Sequence, residues 1–204
     1  ASPWLILTEA PQYLEAIEEY VVPYSTAKHA RWNGPHYMCG ALARLNNNYE
    51  QLRPFGKWAV QTLGVPIPCH NPFMITVAQV IECAHCIEDA IAIIDTLVED
   101  GIDPDAEMAQ VEPKAAAGVG VVEAPRGILF HEYEYDTEGK CRSANHIIPT
   151  AQNLANLEAD MREYIPKIKD RGEDDIRQQL EMLVRAYDPC ISCSTHLVTV
   201  NVSE

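Results

Sequence analysis

An apolar stripe with a period close to 3.6 runs through Val77, Val80, Ile81, Ala84, Ile87, Ile91, Ile94 and Val98. That spacing puts all eight side chains on one face and predicts a long core helix over 77–98. Gly101 and Pro104 follow it as stop signals. A helix of this length constrains everything else, because the remaining elements must supply an apolar surface to cover it.

The flanking segments carry shorter patterns. Residues 10–22 read as a helix with Leu14, Ile17 and Val21 on one face, ended by Pro23. Residues 24–35 read as irregular, 37–45 as helical, and 54–63 as a short helix stopped by Gly64 and Pro66. From 111 to 150 the character changes: 119–122, 128–135 and 142–148 read as short strands, with Asp136-Thr137-Glu138-Gly139 as a hairpin turn. Helices return with the stripes Leu154, Leu157, Met161, Tyr164, Ile165 and then Ile176, Leu180, Leu183, Val184. The expectation is a mainly α fold with an inserted β-ribbon, of α+β class. It is one structural unit with a helical region at 1–110, the ribbon at 111–150, helices and a C-terminal motif at 151–196, and a tail at 197–204.

Bulk properties exclude several classes. At 204 residues the chain suits one domain or part of a larger one, and 47% hydrophobic residues allow a core. A net charge of −15 argues against a nucleic-acid partner, which needs clustered Lys and Arg. No apolar run approaches a membrane span. The first residues show no basic region before a long apolar one and no initiator Met, which reads as a trimmed chain or one beginning inside a longer protein. Seven cysteines, an odd number, suit a reduced, cytoplasmic setting with metal thiolates better than a disulfide scaffold.

Residues 188–196 read Asp-Pro-Cys-Ile-Ser-Cys-Ser-Thr-His. Cys190 and Cys193, three apart, can present both thiolates to one metal, and Asp188 and His196 bracket them with a carboxylate and an imidazole. A lone C-x-x-C also suits a redox dithiol or a zinc half-site, and two buried small residues are the plain alternative. Placement directly after a helix, with Asp-Pro before and a His three residues later, favours metal binding. Soft thiolates suit nickel, iron and zinc alike, so ligand type leaves the metal open. A second constellation, Glu123-Ala124-Pro125-Arg126-Gly127, joins two expected strands, and the ribbon returns to Ile148-Pro149-Thr150-Ala151-Gln152-Asn153. On its own Arg126 would read as a surface salt bridge.

The D-P-C-x-x-C-x-x-H arrangement resembles the nickel-binding signature that closes the large subunit of nickel–iron hydrogenases. The E-A-P-R-G and P-T-x-x-N segments look like the lining of the nickel–iron pocket in that family. Upstream, residues 22–29 and 40–46 are similar to segments of the large subunits of cytoplasmic, multimeric hydrogenases that use soluble electron carriers. The likeness covers nearly the whole chain. It implies the C-terminal half of the large-subunit fold and, for function, part of the catalytic subunit that cleaves dihydrogen heterolytically and reversibly.

Roles implied by the resemblance fall on matching positions. Cys190 looks like a terminal nickel ligand and Cys193 like a thiolate bridging nickel and iron, the iron carrying carbon monoxide and cyanide. Arg126 would lie over the metals, with Pro125 and Thr150 against a cyanide and Asp188 fixing the arginine. His196 and the backbone carbonyl of His146 would hold a separate magnesium or iron ion. Cys190 is the favoured proton acceptor, because an arginine is too basic to be neutral at rest; Arg126 is then an electrostatic clamp. Glu123 reads as holding the loop or acting chemically, and His131 as a weaker supporting residue. Cys69, Cys83 and Cys86 read as packing residues, and Cys39 and Cys141 have no companions at ligand spacing.

Two features depart from the family pattern. The family needs four cysteines, the first pair in a C-x-x-C near the N-terminus of the large subunit, and no segment here matches it. The chain therefore reads as a fragment or one product of a split gene. Its expected partners are the N-terminal half, a flavin or electron-carrier module, and an iron–sulfur small subunit. Residues 197–204 extend beyond the position where a maturation endopeptidase cleaves, so they read as a tail awaiting removal or retained. The competing readings are a zinc-binding interaction module using Cys190, Cys193 and His196, or a metal-free hydrogenase-like structural subunit.

Overall fold

The computed structural model describes residues 9–101, 103 and 110–195. A single 3-10 turn leads into α1 (Tyr13–Ala16), β1 (Ile17–Val21) and β2 (Lys28–Trp32), the two strands pairing antiparallel. This corrects the expectations of a helix over 10–22 and irregular chain over 24–35. Two residues of the expected helical stripe, Leu14 and Val21, face solvent, while Ile17 is buried. Cross-strand contacts decide the local fold: Lys28 Nζ meets Glu19 at 3.0 Å, and the Arg31 guanidinium lies 4.4 Å from the centre of the Tyr20 ring.

Next come α2 (Ala41–Asn48) and α3 (Pro54–Leu63). The first begins later than expected because Gly40 has φ +107°, which no right-handed helix can absorb. The second ends at Gly64, whose left-handed φ of 64° turns the chain out of the helix.

The apolar stripe from Val77 to Val98 forms α4 (Ile75–Asp100), a 26-residue helix, so the period was a sound guide to the element. Its location is another matter. Ile75, Ala78 and Ile81 are buried, but Ile87, Ile91, Ile94 and Val98 are 56–76% exposed. Only the first part of α4 belongs to the core. The start of α3 reaches along it as far as Glu88 and Asp89, and beyond them Ile91, Ile94 and Val98 are exposed.

The three-stranded antiparallel sheet, in the order β3-β4-β5, comprises β3 (Ala116–Ala124), β4 (Gly127–Tyr135) and β5 (Cys141–Ile147). The Asp136 carboxylate closes the second hairpin by accepting from the backbone N–H groups of Glu138 and Lys140, both at 2.9 Å. The chain ends its described part with α5 (Pro149–Ile168), α6 (Glu173–Ala186) and a 3-10 turn at Ser192–Ser194.

Two apolar clusters result. One joins α2, α3, the start of α4, α5 and α6 through Leu42, Leu45, Val60, Ile81, Leu157 and Leu183. The other joins the N-terminal hairpin to the sheet, with Tyr13 stacked on Phe130 at 5.2 Å over Ile17 and Ile147. Buried Gln152 at the start of α5 ties the second cluster together: its amide donates to the carbonyls of Ile128 and Ile147, and it accepts from the Tyr37 hydroxyl at 2.8 Å.

Candidate metal centre

Ala124 and Gly127 are paired across the β3–β4 hairpin, so Pro125 and Arg126 are its two turn residues. Proline presets the backbone there. The turn rests directly on the chain entering α2, and glycine makes the approach possible on both sides. A β-carbon on Gly40 would lie 2.8 Å from the Arg126 carbonyl oxygen, and one on Gly127 only 2.3 Å from Cys39 Sγ. Asn153 of α5 locks the junction. Its amide donates to the Arg126 carbonyl at 3.2 Å, and its oxygen accepts from the Cys39 N–H at 2.9 Å.

From this turn Arg126 reaches the end of α6. Its Nε donates to the Asp188 carbonyl at 2.5 Å, and a terminal nitrogen donates to the Asp188 carboxylate at 3.1 Å. Asp188 has φ +50°, a left-handed conformation uncommon for any residue but glycine and asparagine-like side chains. That kink turns the chain into the cysteine segment. Thr150, buried at the start of α5, accepts the Cys190 backbone N–H at 3.2 Å, and Ser194 donates to the Cys190 carbonyl at 2.8 Å.

Cys190 and Cys193 act on each other's protons, and Cys190 Sγ also lies 3.4 Å from the Ser192 hydroxyl oxygen. Cys190 is lowered to about 7 by Cys193, then by Ser192, with the positive charge of Arg126 adding to the effect. Cys190 in turn raises Cys193, and burial raises it further. Cys190 therefore gives up its proton more readily than Cys193, and both sulfurs would be thiolates with a cation bound. This donor chemistry fits a soft transition metal. It supplies only two sulfurs, and among the described residues no group of three or more His, Cys, Asp and Glu side chains is gathered to hold a metal ion.

The other expected site residues separate. Glu123 holds the loop, its carboxylate accepting from Arg44 at 2.6 Å. His131 lies opposite His146 in the sheet, with ring centres 4.9 Å apart, and both imidazoles meet the Tyr133 hydroxyl. These two histidines share a cavity of about 560 Å³ with Lys28 and Cys193, so His131 borders the cysteine segment. His196 and the tail at 197–204 lie outside the described residues, as do the chain's first eight residues and Pro104.

The packing role expected for Cys83 and Cys86 is overturned: both are exposed on α4, while Cys69 is buried. Cys39 lies against the arginine turn, where burial pushes its thiol up to about 12. Sequence reasoning missed Arg44 and Gln79, which contact Glu123 and Asp188. No local signal marks them, because their partners lie 79 and 109 residues away.

A family model for nickel-dependent hydrogenases matches residues 2–196. The chain belongs to that family. Among relatives of this hydrogenase chain, the alpha chain of sulfhydrogenase 1 from Pyrococcus furiosus is 38% identical over 92% of this chain and 43% of its own length. An F420-non-reducing hydrogenase component from Methanothermobacter thermautotrophicus is 30% identical over 91% of this chain and 41% of its own. An NAD+-reducing nickel–iron hydrogenase in the H2-reduced state superposes with a TM-score of 0.75 at 28% identity, over 91% of this chain and 42% of that one. A NiFeSe hydrogenase from Desulfovibrio vulgaris Hildenborough, at 22% identity and a TM-score of 0.63, shares the fold. The chain thus spans less than half the length of the hydrogenase subunits it matches. The mixed helix-and-sheet architecture is that of the hydrogenase large subunit, and among the described residues no helix is long and apolar enough to cross a membrane.

Proposed function

We propose that this chain is part of the catalytic subunit of a cytoplasmic nickel–iron hydrogenase that cleaves dihydrogen heterolytically and passes electrons to an iron–sulfur partner subunit. The observation that carries the reading is the Arg126–Asp188 pair, bonded at 2.5 and 3.1 Å immediately before the Cys190–Cys193 thiol pair. A positive charge fixed by a carboxylate beside two thiols is what a thiolate-held metal centre requires.

In this reading Cys190 and Cys193 would hold the nickel–iron centre, with carbon monoxide and cyanide expected on its iron. The centre, when bound, supplies the redox chemistry of dihydrogen cleavage. The Sγ of Cys190 would take the proton, since the Arg126 guanidinium is too basic to be neutral at rest. Arg126 fixes a positive charge over the site, and Asp188 fixes Arg126. Pro125 and Thr150 would face the iron's diatomic ligands; Thr150, used as an acceptor by the Cys190 N–H, keeps its own hydroxyl proton to donate. Glu123 and His131 would support the arginine turn and the cysteine segment, and His196 with the backbone carbonyl of His146 would hold a magnesium or iron ion.

The two missing thiolates come from the N-terminal half of the large subunit, which also covers the bare face of α4. A flavin or electron-carrier module lies beyond the small subunit, and an endopeptidase trims the tail after His196. Seven free thiols suit a reducing compartment.

Metal analysis and infrared spectroscopy of this chain combined with its N-terminal half test the reading. Nickel and iron together, with bands from iron-bound carbon monoxide and cyanide, are expected. Zinc alone would instead identify an interaction module, and a metal-free protein a structural subunit.

A further inference from the structure

We propose that Arg44 is a positioning residue for Arg126, holding the Ala124–Gly127 turn against α2 and α4 and thereby setting where the Arg126 guanidinium lies beside Cys190 and Cys193. The consequence for turnover rests on the hydrogenase reading; the geometry does not.

Arg44 projects from α2 and spends its whole fork on this junction. Its Nε and one terminal nitrogen donate to the two carboxylate oxygens of Glu82 on α4, at 2.6 and 2.9 Å. The other terminal nitrogen donates to Glu123 at 2.6 Å and to the Ala124 carbonyl at 2.9 Å. A fifth bond, 2.9 Å long, reaches the Pro125 carbonyl. A guanidinium has five N–H donors in a fixed plane, so this set accounts for all of them.

The acceptors explain the purpose. Turn carbonyls at 124 and 125 immediately precede Arg126, and a guanidinium bonded to both fixes the direction in which the next side chain leaves the backbone. The bidentate bond to Glu82 fixes the guanidinium in turn, because α4 is anchored at that level by buried Ala78 and Ile81. Helix α4 also reaches the other member of the pair. Gln79, one helical turn before Glu82, donates to the second carboxylate oxygen of Asp188 at 3.2 Å. Both ends of the Arg126–Asp188 bond are therefore referenced to one helix, through Arg44 at the arginine and directly at the aspartate.

A role in stability alone and a role in positioning predict different results, and Cys39 distinguishes them. Its thiol is capped by the arginine turn, whereas the Cys69 thiol is buried in the main helical cluster. In the assembled enzyme carrying the complete large subunit, before metal loading, iodoacetamide labelling of Arg44→Ala should raise the Cys39 rate at least tenfold with Cys69 unchanged. Arg44→Lys, which keeps the charge and loses the fork, should fall between. Equal acceleration of both cysteines, or none at Cys39, overturns the proposal. In the loaded enzyme kcat should drop at least tenfold with the KM for dihydrogen within twofold of wild type, and added guanidinium should restore part of the loss in Arg44→Ala. A change in KM alone, or full turnover, also overturns it. A wild-type enzyme unable to oxidise dihydrogen would instead overturn the hydrogenase reading, while the ratio of cysteine rates would still decide whether Arg44 holds the turn.

Discussion

Gly127 lies against Cys39 so closely that a β-carbon at 127 would stand 2.3 Å from the sulfur and 3.0 Å from the Cys39 β-carbon. Two chain segments 88 positions apart therefore meet backbone to side chain at the base of the arginine turn. The φ of Gly127, +141°, adds a second reason for glycine there.

Gly127→Ala should accordingly destabilise the protein by about 2–6 kcal/mol, combining roughly 1–3 kcal/mol of overpacking with a similar backbone penalty. Removing the sulfur as well, in Gly127→Ala with Cys39→Ala, should recover part of the loss but not all, because the backbone penalty and the 3.0 Å contact remain. Thermal unfolding of both variants measures this. An unchanged melting temperature for the single variant would contradict the close approach.

Asp188 combines an unusual backbone with a specific bond, and Asn separates the two. Asparagine tolerates left-handed backbone about as well as aspartate. Asp188→Asn should therefore keep the fold and the carbonyl bond to Arg126 while losing the charge that orients the guanidinium. Turnover in the assembled enzyme should fall by about 10–100-fold, the usual cost of losing such a support, with nickel and iron content unchanged. Dye reduction under dihydrogen and elemental analysis provide the check. Full activity would remove Asp188 from the mechanism.

What could be read in the sequence follows from the range of the interactions. The 3.6 period of α4 and the strand–turn–strand pattern of the ribbon are local, and both elements formed over close to the expected spans. The Arg126–Asp188 pairing was readable only through family resemblance, since the residues are 62 apart. At 17–21 a helical stripe and a strand compete over the same residues, and pairing with β2 decides it, which no local pattern reveals. The exposure of α4 was hidden for a different reason. Periodicity reports which face is apolar, and the chain that would cover that face is not in the described residues.

His29 carries a pH dependence. It is buried between β2 and α5, near the rings of Tyr20 and Tyr24, with Glu158 at 3.8 Å and Arg162 beyond. Burial lowers its pKa below the ordinary 6.5, outweighing the opposite pull of Glu158, and Arg162 lowers it further. A histidine with a depressed folded value binds its proton more readily when unfolded, so stability falls as pH drops below about 6.5 and levels off under the folded value. Wild type should lose melting temperature between pH 7 and 5, and His29→Gln should lose less across that window. Parallel curves for the two proteins would mean that His29 does not contribute.

The exposed stretch of α4 should behave as a covered face in the complete enzyme. Ile87, Ile91, Ile94 and Val98, more than half exposed, each forgo about 1–2 kcal/mol of burial, a loss too large to leave uncompensated in a stable assembly. The helix also carries Glu82, Glu88, Asp89, Asp95, Glu99 and Asp100 and no Lys or Arg, so its cover should present apolar residues rimmed by positive charge. In the complete large subunit, Ile91→Glu should bury a carboxylate without a partner, so metal content should fall sharply, as should assembly with the small subunit. In this chain alone the same substitution should reduce binding of a hydrophobic dye and self-association, because here the residue meets water. Opposite signs in the two settings are the signature of a face built to be covered. If Ile91→Glu leaves assembly of the complete enzyme intact, the face stays open and its cover must be sought elsewhere.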